Sequence, residues 1–250
     1  MSTPGWALIT GASSGLGAVY ARALAGVGHP LVLVARDTTR LKSLATAISQ
    51  EWGVLTTVLP ADLHLDADRR RVAERLRDSR YPVDVLINNA GYGISGNLAD
   101  SDEREETNHL AIHVTAPLEL TKAALPGMVE RGHGRVVIVS SVAGYLARGT
   151  YSAHKAWGLS LARSLNETYR RDGVHVSAVA PGFTRTEFHE RMGMNVSGIP
   201  NFMWLSAEDV VASSLRAVEA GKAVVIPSLR YRTLVGIAQI LPRRLHQGGV

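Results

Sequence analysis

The sequence contains no cysteine, which excludes disulfide staples, thiolate nucleophiles and cysteine-ligated zinc or iron–sulfur centres. That absence suits a reducing cytosol. No stretch approaches the roughly 20 apolar residues that span a bilayer, and the longest apolar runs have only the length of strands. The chain opens Met1-Ser2-Thr3-Pro4 and passes almost at once into a short apolar run, without the basic region and apolar segment of a secretory signal. A cytoplasmic location is the expectation. Low-complexity linkers and solenoid repeats are missing too. Aromatics make up 6% of the chain and do not interleave with its basic residues as they do in single-strand binders. Nucleic acid is therefore not expected as a partner, although the net charge of +5 suits a phosphate-bearing ligand or an anionic surface.

What is present is apolar material, 46% of 250 residues, enough for one sizeable core, so residues 1–250 are read as a single domain. Short apolar runs recur at Trp6 to Thr10, Leu31 to Ala35, Leu55 to Leu59, Val83 to Ile87, Val136 to Ser140, Val174 to Ala180 and Ala223 to Ile226. Their lack of alternation predicts strands buried on both faces. Helix-length segments separate them, from Gly15 to Gly28, Thr38 to Trp52, Asp66 to Ser79, Ser101 to Glu130, Tyr151 to Arg171 and Ala207 to Ala220. Strand alternating with helix predicts an α/β fold, a Rossmann-like doubly wound parallel sheet of seven strands with helices on both faces. One irregular stretch, 183–205, carries Phe188, Met192, Met194, Ile199, Phe202, Met203 and Trp204 and reads as a flexible apolar flap.

Directly after the first strand comes Thr10-Gly11-Ala12-Ser13-Ser14-Gly15-Leu16-Gly17, followed by a helical run. Glycines there permit a tight turn and close approach of backbone to a pyrophosphate, while the helix N-terminus offers free N–H donors and a favourable dipole. The second strand ends Val34-Ala35-Arg36-Asp37. A carboxylate at this place favours NAD and an arginine favours NADP, so Ala35 and Arg36 point to NADP(H), with Asp37 read as the cap of the next helix. Asp62-Leu63 and Asn88-Asn89-Ala90-Gly91 also end strands, where open α/β sheets bind ligands, and both equally suit turns.

Tyr151-Ser152-Ala153-His154-Lys155 begins a helical segment, so Tyr151 and Lys155 lie one turn apart on one face. An ammonium beside a phenol favours the phenolate and brings proton exchange within reach of neutral pH. Together with the glycine turn, the Asn88–Gly91 segment, Ser141, and Pro181-Gly182 with Thr184 and Thr186, this pair resembles the short-chain dehydrogenase/reductase family in motif order over almost the whole chain. The resemblance implies hydride transfer between NADP(H) and a carbonyl or alcohol carbon of a fairly apolar substrate. It implies Tyr151 as acid/base, Ser141 as the group orienting the carbonyl, and Lys155 on the nicotinamide ribose, lowering the Tyr151 pKa. It further implies Asn108 as holder of a water that links Lys155 to solvent, Thr186 and the backbone after Pro181 at the carboxamide, and a homodimer or homotetramer.

Two features depart from the family pattern. Ser141 stands ten residues before Tyr151, about three fewer than usual, which keeps Ser140 open as the alternative. Ser14 replaces the second basic residue of many NADP-preferring relatives, leaving selectivity to Arg36. His109 and His113 stand four apart on a helix, a spacing that suits a metal, but no third ligand is near and no metal is expected; His154 is given no role. In the extension 229–250, Leu234, Ile237, Ala238, Leu241 and Leu245 follow helical spacing between arginines. Cover for the pocket or a partner subunit is favoured there over peripheral membrane contact. Rival readings are a 3-oxoacyl-carrier-protein reductase and a non-catalytic NADPH-binding sensor or scaffold.

Overall fold

Segments rich in Val, Ile and Leu alternate with segments of helical period along this chain, and each becomes the element its period dictates. The computed structural model describes residues 4–94, 96–188 and 196–240. The order is β1 (Trp6–Thr10), α1 (Gly15–Ala25), β2 (Leu31–Ala35), α2 (Thr38–Trp52), β3 (Thr56–Pro60), α3 (Asp66–Arg77), β4 (Val83–Asn88) and α4 (Glu103–Leu110). A π-helical turn (Ala111–Thr115) follows, then α5 (Ala116–Glu130), β5 (Gly134–Val139), α6 (Gly149–Tyr169), β6 (Val174–Val179), α7 (Ala207–Glu219), β7 (Val224–Val225) and α8 (Leu229–Ile240).

All seven strands pair in parallel in the order β3-β2-β1-β4-β5-β6-β7. The chain reverses its direction of travel between β1 and β4, which opens a crevice at the C-terminal strand ends. Alternate strand residues feed two cores. Leu8, Val32, Val34, Leu86, Val136, Ile138 and Val176 pack with Val72 of α3, Leu120 of α5 and Leu159 of α6. Ile9, Leu31, Leu33, Ile87, Val137 and Val179 pack on the other face with Leu24 of α1, Leu41 and Ile48 of α2 and Val210 of α7. Each fully buried aliphatic side chain contributes about 1.5–3 kcal/mol relative to exposure.

The edges differ from the sequence expectation. Leu55 precedes β3 and is 70% exposed, although its carbonyl still accepts from the Leu31 amide. β3 is an outermost strand, so only part of it is covered. The single helix expected from Ser101 to Glu130 is divided, because Pro117 has no N–H to give the His113 carbonyl and its ring clashes there. The π-turn absorbs this, the Ala116 amide bonding back five residues to the Ala111 carbonyl. The C-terminal helix α8 packs against the turn at Val142–Tyr145 and the stretch after β6, burying Tyr231 and Val235.

Candidate active site

At the first strand end the glycine turn is held from behind. Gly11 and Gly15 have φ of 64° and 55°, and a Cβ on Gly17 would lie 2.2 Å from the Gly11 carbonyl oxygen. The Asn89 side-chain amide donates to the carbonyls of Thr10 (2.9 Å) and Gly11 (3.2 Å), while the Thr10 hydroxyl accepts from the amides of Asn89 and Ala90. Asn89 and Ala90 thus shape the turn from the neighbouring strand, while Gly91 lies against His113. Ser14 caps α1 through its backbone only, and no acidic residue stands in the first turn, so the helix N-terminus presents open donors beside Ser13, Gly15 and Leu16. That cradle fits a dinucleotide pyrophosphate.

Arg36 is exposed at the end of β2 and forms no hydrogen bond or ion pair among the described residues, though its charge is felt at Asp62. Asp37 is turned to α2, its carboxylate accepting from the Arg40 amide at 2.9 Å. Asp62 accepts from the backbone and ring of His64. Burial raises the Asp62 pKa, but those bonds outweigh it and hold the carboxyl below its usual value. The Leu63 side chain belongs to the core, and its carbonyl accepts from the Arg69 guanidinium at 3.1 Å.

Tyr151 and Lys155 rise from the first turns of α6, beside the end of β5. Lys155 is buried, its ammonium donating to the Val139 carbonyl at 2.9 Å and standing 5.6 Å from the Tyr151 ring centre. The two candidate serines separate: the Ser140 hydroxyl donates to the Lys155 carbonyl at 2.7 Å, whereas Ser141 hydrogen-bonds the Tyr151 phenol and accepts from the Ala143 amide. The short loop therefore still brings Ser141, and not Ser140, to the phenol. Lys155 does not lower the Tyr151 pKa here. Burial dominates and pushes the phenol up to about 12, eased by the Ser141 hydrogen bond. Burial likewise brings the Lys155 ammonium down to about 7.

Asn108 is not among the residues lining the cavity beside Lys155. It is half-buried on α4, its carbonyl accepting from the Ala111 amide, and the helical face turned toward Lys155 carries His109 and His113 instead. A small cavity of about 10 Å³, lined by Asn88, Ala90, His113, Ser140, His154 and Lys155 among others, adjoins the ammonium. The Tyr92 carbonyl receives both His113 Nε2 (2.7 Å) and His109 Nε2 (3.2 Å), and His109 Nδ1 lies 2.8 Å from His154 Nδ1. The rings of His109 and His113 wall that of Tyr151 at 5.8 and 5.9 Å. Among the described residues no group of three His or acidic side chains is arranged for a metal ion. The signals for this cluster were the i,i+4 histidine pair and the histidine inside the Tyr–Lys motif; neither counts as chemistry until the fold joins them.

The stretch after β6 returns to the glycine turn. Thr186 sits against Gly15, where a Cβ would touch it at 3.5 Å, while Thr184 bonds the Gly182 carbonyl and the Pro181 carbonyl accepts from Val142. Phe188 reaches the Tyr151 ring (6.5 Å) and Phe183 stacks near Trp204 (5.8 Å). Met192 and Met194 lie outside the described residues, as do Leu241, Arg243, Arg244 and Leu245. No helix among the described residues is long and apolar enough to cross a membrane.

Comparison with known proteins agrees with this geometry. Residues 5–196 match the family model for short chain dehydrogenase. Over 188 residues, 74% of this chain and 71% of the relative, the sequence is 34% identical to oxidoreductase UcpA of Salmonella typhimurium. A short-chain dehydrogenase from Sphingobium yanoikuyae, solved in complex with NADPH, superposes with a TM-score of 0.85 at 36% identity over 99% of this chain and 98% of that one. The bulky-bulky ketone specific alcohol dehydrogenase from Comamonas testosteroni gives 0.82 at 32% identity over 100% and 98%. With its parallel sheet, its glycine turn and its Tyr–Lys pair at one crevice, the chain belongs to the short-chain dehydrogenase/reductase family of oxidoreductases.

Proposed function

We propose that the protein is an NADP(H)-dependent carbonyl reductase or alcohol dehydrogenase for a fairly apolar, bulky substrate. The observation that carries this reading is the meeting of the Ser141 hydroxyl, the Tyr151 phenol and the Lys155 ammonium at the strand ends next to the glycine turn. The glycine turn from Gly11 to Gly17 holds the pyrophosphate, Arg36 the 2′-phosphate, and Asp62-Leu63 the adenine side. Asn89 to Gly91 back the ribose, and Thr186 with the Pro181–Gly182 backbone meets the carboxamide. When bound, the reduced nicotinamide supplies the hydride to the carbonyl carbon.

Tyr151 gives its phenolic proton to the carbonyl oxygen, and Ser141 donates a hydrogen bond to the same oxygen as charge develops on it. A phenol kept neutral up to about 12 is in its acid form at every ordinary pH, which suits the reductive direction. Lys155 holds the nicotinamide ribose and returns a proton to the phenolate left behind. Phe183, Phe188 and Trp204 supply the apolar wall, and the ketone named for the Comamonas relative has the bulk such a wall accommodates. The protein is further proposed to act in the cytoplasm as a homodimer or homotetramer through the helix pair carrying the exposed Leu110 and Leu118.

A panel of aliphatic and aryl ketones with NADPH and NADH, followed by nicotinamide absorbance, tests the reading. Tyr151→Phe should abolish turnover while NADPH still binds with unchanged affinity. Turnover retained by this variant removes the phenol from the mechanism, and a preference for NADH removes Arg36 from cofactor choice.

A further inference from the structure

The Tyr92 carbonyl can only accept, so the two imidazole nitrogens within its reach must both carry protons. His113 Nε2 at 2.7 Å and His109 Nε2 at 3.2 Å are therefore N–H donors. The Tyr92 amide lies 3.3 Å from the same His113 nitrogen, but the shorter contact decides where the proton sits. In neutral rings this leaves Nδ1 of each as a lone pair. His109 Nδ1 faces His154 Nδ1 at 2.8 Å, and because one of them must donate, His154 is the Nδ1–H form with its own lone pair on Nε2. One backbone carbonyl thus sets three tautomers in series.

The lone pairs left over, His113 Nδ1 and His154 Nε2, belong to side chains that line the cavity beside Lys155. Its lining also includes Asn88, whose buried Oδ1 has no hydrogen-bond partner in the protein, and its volume of about 10 Å³ is at the lower limit for one water. One water in this cavity would accept from the Lys155 ammonium and donate to Asn88 and to an imidazole, satisfying the orphaned oxygen.

We propose that His113 and His154, locked in tautomer by Tyr92 and His109, are positioning residues of the proton path that recharges Lys155 and Tyr151, in place of Asn108. The path rests on the carbonyl reductase reading. In it the proton lost by Tyr151 to the substrate oxygen is replaced from Lys155, and Lys155 is reprotonated from solvent through the cavity, so no net charge accumulates. The groups facing the cluster are Lys155 and Tyr151 of α6, Glu106 of α4, and Tyr92. Burial, with the Lys155 charge adding to it, lowers all three imidazoles below their ordinary value, His109 to about 4. The shift favours the neutral form of each ring.

Nitrogen-15 NMR of the ligand-free protein reads the tautomers directly. His109 and His113 should be Nε2–H and His154 Nδ1–H at pH 8; a His154 signal of the other tautomer, or of an averaging mixture, overturns the proposal. His109 does not line the cavity, so His109→Leu separates positioning from contact. That variant should release the His154 tautomer and lower kcat about tenfold with the NADPH KM unchanged, the order expected when an orienting hydrogen bond on a histidine is removed. His109→Gln keeps a donor for Tyr92 and an acceptor for His154, and should recover most of the rate. Equal kcat in His109→Leu and the parent refutes the path. Turnover retained by Tyr151→Phe instead sinks the reductase reading, whatever tautomers the imidazoles show.

Discussion

Replacing Lys155 by methionine should make the ligand-free protein more stable and inactive. The ammonium is buried with one carbonyl partner at 2.9 Å, and the fall of its pKa from 10.5 to about 7 corresponds to a penalty on the order of 5 kcal/mol for keeping the charge inside. Methionine has similar length and no charge, but it leaves the Val139 carbonyl without its donor, a loss of about 1–3 kcal/mol. The net gain is roughly 2–4 kcal/mol at pH 7. Its pH dependence has a definite sign. Between about 7 and 10.5 the unfolded chain binds the lysine proton and the folded one does not, so the parent gains stability as pH rises and loses it as pH falls toward 7. The advantage of Lys155→Met is therefore largest near neutrality and disappears toward pH 10. Urea unfolding of both proteins at several pH values measures the gap. A variant no more stable than the parent at pH 7, or a gap that does not change with pH, refutes the account of Lys155 as a strained, desolvated charge.

Two other substitutions address different parts of the site. On the proposed role of Arg36, Arg36→Ala removes charge-assisted bonds to the 2′-phosphate of about 1.5–3 kcal/mol, so the NADPH KM should rise roughly 10- to 150-fold while that for NADH stays nearly constant. Parallel initial-rate measurements with the two nucleotides decide it, and an equal rise for both denies the arginine its role. In Gly91→Ala the new methyl would stand 2.3 Å from His113 Cε1. It should cost about 1–3 kcal/mol of stability by overpacking and lower kcat as the imidazole shifts, read by urea unfolding and steady-state rates; an unchanged kcat with the fold intact contradicts the placement of His113.

The alternation of apolar runs with helical segments was enough to foresee seven parallel strands, because doubly buried strands such as Leu31–Ala35 carry their environment in their composition. Edges were less legible. Leu55 has the side chain of a core strand and lies outside one, since whether a strand is outermost is a property of the sheet and not of its own residues. The glycine turn, Ser141, Tyr151 and Lys155 converge as their motifs imply, each lying next to an element end whose geometry is local. The histidines beside Lys155 were not legible as a group: His113 and His154 line the cavity there and His109 meets His154, a meeting that depends on how α4 and the π-turn pack on α6. Nothing in residue spacing states the angle at which a helix presents its side chains once such a turn intervenes. The Ser140 and Ser141 pair was likewise undecidable from counting, being settled by which hydroxyl the Lys155 carbonyl claims.

The stretch after β6 enters and leaves the body of the protein through one doorway. Leu205 N bonds Phe183 O at 2.8 Å, Arg185 N bonds Leu205 O at 3.0 Å, and the Tyr231 hydroxyl ties the Phe183 amide to the Met203 carbonyl. Its ring lies so close to Gly182 that a methyl there would be 2.0 Å from it. Because both ends are stapled at a common point, whatever chain runs between them has the same short gap to bridge, and the entropy of closing it grows only slowly with added length. On the proposed reading, substitutions among residues 196–204 that spare these staples and Thr186 should therefore change ketone selectivity and leave NADPH binding as it is.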